Sequence, residues 1–170
     1  MSDGASDPGG IIWSWWRRHL GERESGAARA LAARLRRGSD IEILGEPAVH
    51  DLSRRLALYD AARLLRLVRV LAELRGEDRA TLAHRLGGEE PILSNARFQR
   101  LMRAEGTELT TALIRAIRML GPGARSCDIA RLGRDLRFWN DRTRTRWSFQ
   151  YFHAPEPEAL QPLFETETDA

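Results

Sequence analysis

Lysine is absent from this 170-residue sequence; all 27 basic residues are arginine. Every positive charge is therefore a planar fork that binds phosphate bidentately and stacks on flat rings. Cysteine is nearly absent. The single Cys127 excludes an internal disulfide and a multi-cysteine zinc site. No apolar run approaches the roughly 18 residues of a membrane span, and the opening "MSDGASDPGG" is polar and acidic, unlike a signal peptide. These features lead us to expect a cytoplasmic protein with no membrane partner. Alternating β-branched runs are missing, which leaves an all-α helical bundle as the expected fold class. The elements of a catalytic centre are missing too. His19, His50, His84 and His153 are scattered without metal-ligand spacing, and neither a nucleophile elbow nor a phosphate-cradling glycine loop occurs. No close carboxylate pair suggests a two-metal centre. Cys127 lies at an expected helix start, where a buried or capping role outweighs a nucleophilic one. The expectation is binding without catalysis, cofactor or metal.

What the sequence does contain is an uneven distribution of charge. The net +3 combines an acidic end with a basic interior. Residues 154–170 hold Glu156, Glu158, Glu165, Glu167 and Asp169 with no base, so residues 1–153 carry +8. Residues 97–146 alone hold 12 Arg against 5 acids. Such local charge governs partners and association rate more than fold.

Punctuation divides the chain into a disordered leader (1–10), an N-terminal helical lobe (11–88), a basic C-terminal lobe (92–153) and an acidic flexible tail (154–170). The "GGEEP" stretch at 87–91 marks the break between lobes. Helices are expected at about 11–20, in "SGAARALAARLRRG" with Gly38 as its stop, from Pro47 to about Leu58, and in "YDAARLLRLVRVLAELRG" with Gly76 as its stop, with a shorter one before Gly87. Residues 39–46 read as a connection. After the break come helices in "SNARFQRLMRAE", "TELTTALIRAIRMLG", "CDIARLGRDLRFWN" and "DRTRTRWSFQYFH". Trp13, Trp15, Trp16, Trp139, Trp147, Phe98, Phe138, Phe149, Tyr151 and Phe152 are expected to supply core.

The second half repeats one pattern, an arginine stripe opposite an apolar stripe. At about 100° per residue, Arg97, Arg100 and Arg103 fall near 0°, 300° and 240°, while Phe98, Leu101 and Met102 fall between about 40° and 140°. Arg115 and Arg118 lie outside the arc of Leu109, Leu113, Ile114, Ile117 and Leu120. Arg131, Arg134 and Arg137 face away from Ile129, Leu132, Leu136 and Trp139, with Phe138 at the edge, placed either to stack a base or to pack on a neighbouring lobe. In a chain without lysine any polar helix face is Arg-rich, and "RLLRLVR" at 63–69 shows the same spacing. What weighs toward a basic surface is the absence of neutralising acids, although Arg131 does have Asp135 four residues on. Arg97, Arg100, Arg115, Arg118 and Arg134 have no acid four residues away on either side. Several uncompensated stripes in one half predict one basic surface, suited to phosphate contacts that do not read bases.

The order and spacing of these segments resemble the CasB family, the small subunit of type I-E CRISPR Cascade. The likeness rests on Arg97, Phe98, Leu101, Arg103 and Ala104; on the helix from Ile114 to Leu120; on Asp128, Leu132, Asp135, Leu136 and Trp139; and on the basic-aromatic helix from Arg142 to Phe152. A looser likeness covers "WSWWRRHL" and the arginine helix after it. Family members often carry Asp-Trp where this chain has Asp128-Ile129. The resemblance implies an all-α protein of two small lobes, without enzymatic activity or cofactor. It also implies partners: the backbone and large Cascade subunits with guide RNA, a second copy of the chain, and the displaced single-stranded DNA of an R-loop. The expected phosphate contacts are Arg97, Arg100, Arg103, Arg115, Arg118, Arg142 and Arg144. Two alternatives stand beside this. One is a sequence-specific helix-turn-helix regulator built on the two helices around "GPG" at 121–123. The other is a purely structural scaffold that docks acidic subunits.

Overall fold

The structure, a computed structural model, describes residues 7–21 and 25–160. Ten α-helices account for nearly all of its regular structure: α1 (Pro8–Trp16), α2 (Gly26–Arg37), α3 (Asp40–Leu44), α4 (Pro47–Leu56), α5 (Ala61–Glu73), α6 (Leu82–Leu86), α7 (Asn95–Arg103), α8 (Gly106–Met119), α9 (Ile129–Arg137) and α10 (Asp141–Tyr151). The fold class is all-α, as expected.

Polar residues start most of these helices. Side chains of Asp7, Ser25, Asp60, Thr81, Ser94, Asp128 and Asn140 each accept from a backbone N–H in the following turn. Such a cap satisfies a donor that the helix leaves orphaned. The expected connection at 39–46 is instead a short helix, α3. Ser39 and Glu42 form a reciprocal capping box there, each side chain bonded to the other's backbone N–H. The first helix starts at Pro8, three residues early, because Asp7 caps it and proline fits a first turn. It passes into a π-helical turn, Arg17–Gly21. Residues 7–10 of the expected leader thus belong to the cap and first turn of α1, while residues 1–6 lie outside the described residues, as do residues 161–170 of the acidic tail.

Two short strands, β1 (Gly76–Glu77) and β2 (Ser126–Cys127), pair in parallel and tie the end of α5 to the start of α9. Cys127 lies in β2, and Asp128 takes the capping position of α9. Its side chain is fully buried, and burial raises the thiol pKa, so it is an inert core group.

One hydrophobic cluster joins helices from both sides of residues 87–91. α5 packs on α2, α8 and α9; α1 crosses α9; α6 packs on α10. The crossing of α1 and α9 is close. A methyl on Gly133 would stand 2.7 Å from two carbons of Ile12. Buried aromatics keep their polar tips bonded. Trp15 Nε1 donates to Ala48 O (2.8 Å), Trp16 Nε1 to Leu71 O (3.2 Å) and the Tyr151 hydroxyl to Leu93 O (2.6 Å). Phe98 stacks on Tyr151 with ring centroids 4.0 Å apart. Of the other expected core aromatics, Trp13, Phe138, Trp139 and Phe149 are half-buried, and Phe152 is exposed.

The "GGEEP" break is more than a spacer. Gly88 N–H donates to Tyr151 O (2.8 Å), and Gly88 has φ +94°, a conformation side chains resist. A Cβ on Gly87 would overlap the Tyr151 carbonyl. Gly87→Ala is therefore expected to cost about 2–3 kcal/mol by forcing α6 away from α10, as measured by urea unfolding. A loss below about 0.5 kcal/mol would show that this crossing yields freely.

Candidate nucleic-acid interface

The apolar stripes of α7 and α8 determine where their arginines point. Phe98 and Leu101 bury one side of α7; Leu109, Leu113 and Ile117 bury one side of α8. Arg97, Arg100, Arg103, Arg115 and Arg118 consequently stand on the exposed side. Among the described residues, nothing bonds or pairs with the guanidinium groups of Arg100, Arg103 or Arg115. Arg97 reaches only a sulfur, Met119 Sδ at 3.6 Å, which links the start of α7 to the end of α8.

Two further residues converge on the corner between α7 and α8. Arg144, from α10, lies 3.6 Å from Glu105 and 3.2 Å from Asp141, with its guanidinium 6.0 Å above the Trp139 ring. Arg66, from α5, donates to Gly106 O and Thr110 Oγ1, both at 3.3 Å. Burial lowers the Arg66 pKa, and the charge of Arg63 adds to that shift. Arg66 belongs to the 63–69 stripe, whose spacing was visible in the sequence but whose position beside α8 was not.

The remaining candidates are engaged. Arg118 donates from Nε and Nη2 to the two oxygens of Glu73 (3.0 and 2.7 Å). Glu73 is only 1% exposed, whereas the Arg118 side chain is 52% exposed. The bond to Glu73 raises the Arg118 pKa. Arg142 turns to the C-terminal segment and donates to Ala159 O at 2.8 Å. Compensation thus comes from beyond i±4: Glu73 serves Arg118, and Asp7 lies 3.3 Å from Arg134.

The α9 stripe is covered. Arg131 pairs with Glu156 (2.9 Å), Arg134 with Asp7, and Arg137 donates to Leu56 O (3.0 Å) while lying 4.9 Å over the Phe138 ring. With α1 across its other side, α9 has none of the freedom that a recognition helix needs. β2 and the turn before it further separate α8 from α9.

Among the described residues, no three His, Cys, Asp or Glu side chains gather as a metal site. His84 and His153 stack at 3.7 Å, and His153 Nε2 donates to His84 O (2.8 Å), so they act as a structural clasp. No described helix is long and apolar enough to cross a membrane.

No curated protein and no solved structure matches the chain. The family model described as CRISPR-associated protein Cse2 matches residues 17–152, which takes in every described α-helix except α1. The expected CasB resemblance and this match designate the same family, and the chain belongs to it: it is a Cse2 protein, of the small-subunit family of type I-E Cascade.

Proposed function

We propose that this chain is a non-catalytic subunit that holds the displaced non-target strand of a Cascade R-loop by phosphate contacts. The carrying observation is the exposed α7–α8 face, where Arg100, Arg103 and Arg115 have no partner among the described residues. Arg97 and Arg144 flank them. Arg118 and Arg142 would contribute after exchanging or sharing their present partners. Uncommitted guanidiniums on a rigid face suit a ligand whose phosphates recur and whose bases go unread. Exchange of a DNA duplex for an RNA–DNA duplex is nearly balanced in energy, so a modest number of backbone contacts decides whether the loop stays open. The partners of this reading are the backbone and large Cascade subunits, guide RNA, and a second copy of the chain.

The direct test is co-expression with those subunits and a guide RNA. The chain is expected to co-purify with the complex through size exclusion. A complex that forms fully and excludes the chain would contradict the proposal.

A further inference from the structure

We propose that Arg36, Arg75 and Arg118 form a discrete site for a single phosphate group, assembled around the buried carboxylate of Glu73. These residues come from three places in the chain. Arg36 lies in the last turn of α2, Arg75 follows the end of α5, and Arg118 lies in the last turn of α8. α5 packs against both α2 and α8, and Arg36 lies within electrostatic reach of Arg75, Glu73 and Arg118.

The site is overcharged as it stands. Glu73 gives both oxygens to Arg118, so the one acid in the cluster is already committed. Arg36 feels the charges of Arg75, Arg37 and Arg118 against Glu73 alone. Its Nε–H is buried and has no acceptor among the described residues, a state that native proteins rarely leave unfilled. Desolvation, then the charge of Arg75, lower the Arg36 pKa, as expected of a cation held among cations. Another arginine that reaches the end of α2 is handled differently. Arg69, which donates to Gly38 O just beyond α2, is paired with Asp40 at 2.8 Å. Arg75 also hydrogen-bonds through its backbone to Arg125 O (2.6 Å), and Arg125 likewise carries a buried Nε without a partner among the described residues.

An anion would relieve this repulsion. A carboxylate is satisfied by one guanidinium fork, as Glu73 already shows. Guanidiniums on α2 and just after α5, free among the described residues and beside the pair of Arg118 on α8 with Glu73, instead match a tetrahedral oxyanion, whose oxygens point in several directions. The group is either free phosphate or a phosphate of a nucleic-acid backbone. The second case rests on the strand-holding reading; the first does not.

The test uses the full chain and inorganic phosphate. Thermal midpoints are compared in phosphate and in chloride at matched ionic strength, for wild type, Arg36→Gln, Arg75→Gln and an exposed control, Arg54→Gln. Wild type and the control are expected to gain a few degrees, saturably, in phosphate. Arg36→Gln and Arg75→Gln should lose that response yet melt no lower than wild type in dilute chloride, since each removes repulsion. Absence of a saturable response in wild type, or its full retention in both cluster variants, would overturn the site. Oligothymidylate binding then separates the sources. Weaker binding by the cluster variants assigns the site to backbone phosphate, and unchanged binding assigns it to free phosphate. Failure of strand holding itself would appear as no oligothymidylate binding by wild type while the phosphate response persists.

Discussion

Asp135→Ala is expected to destabilise the fold by about 3–5 kcal/mol. The Asp135 carboxylate is buried in α9 and accepts from Trp147 Nε1 at 2.7 Å and Arg146 Nη2 at 3.2 Å. Arg146 is only 7% exposed and has one other acceptor, Thr143 Oγ1 at 3.3 Å. Removing the carboxylate strands a buried guanidinium and an indole N–H together. Typical domain stability is about 5–15 kcal/mol, so a loss of this size endangers folding at growth temperature. Urea unfolding measures it, and a loss below about 1 kcal/mol would show that Arg146 escapes to water.

Desolvation raises the Asp135 pKa, opposed first by the Trp147 bond and then by Arg146. The sign follows from proton affinity. A carboxyl that holds its proton more tightly when folded contributes fully below its unfolded pKa, about 3.9. That contribution declines as pH rises through the folded value. The intact pair is therefore worth little net, although breaking it is costly. Joint replacement, Asp135→Leu with Arg146→Leu, is expected to be much milder than Asp135→Ala alone.

Changing Arg100, Arg103 and Arg115 together to Gln is expected to lower affinity for single-stranded DNA about 100-fold at about 0.1 M salt. Each phosphate contact to a single strand adds about 0.7 to the slope of log K against log salt, so the slope should flatten by about two units. Stability should hardly change, because the three side chains are exposed and unpartnered among the described residues. Titrations at several salt concentrations check both numbers. Lower affinity with an unchanged slope would point to lost shape and not to lost phosphate contacts.

Local chemistry made the helices legible. Caps at Ser25, Asp60, Ser94 and Asn140 stand one residue before their helices, and apolar spacing identified the buried sides of α7, α8 and α9. Helix α3 was present as a Ser39–Glu42 box but lay hidden in a stretch too short for periodicity. The strands could not be seen, since two residues show no alternation. The candidate site divides along the same line. Exposure of Arg100, Arg103 and Arg115 follows from position on a helix. The ion pair of Arg118 with Glu73 crosses 45 residues of sequence and depends on α5 packing against α8. Neighbours at i±4 report nothing about such partners, and Arg36 could not be connected to Arg75 for the same reason.

The most direct test of strand holding is the lifetime of the R-loop on a complex containing the Arg100, Arg103 and Arg115 triple variant, with incorporation of the subunit verified on the same sample. The displaced strand should re-anneal at least about tenfold faster than with wild type, as expected from the loss of about 1.4 kcal/mol or more of backbone contact. An unchanged lifetime, with the variant present at full occupancy, would contradict the assignment of this face to the displaced strand.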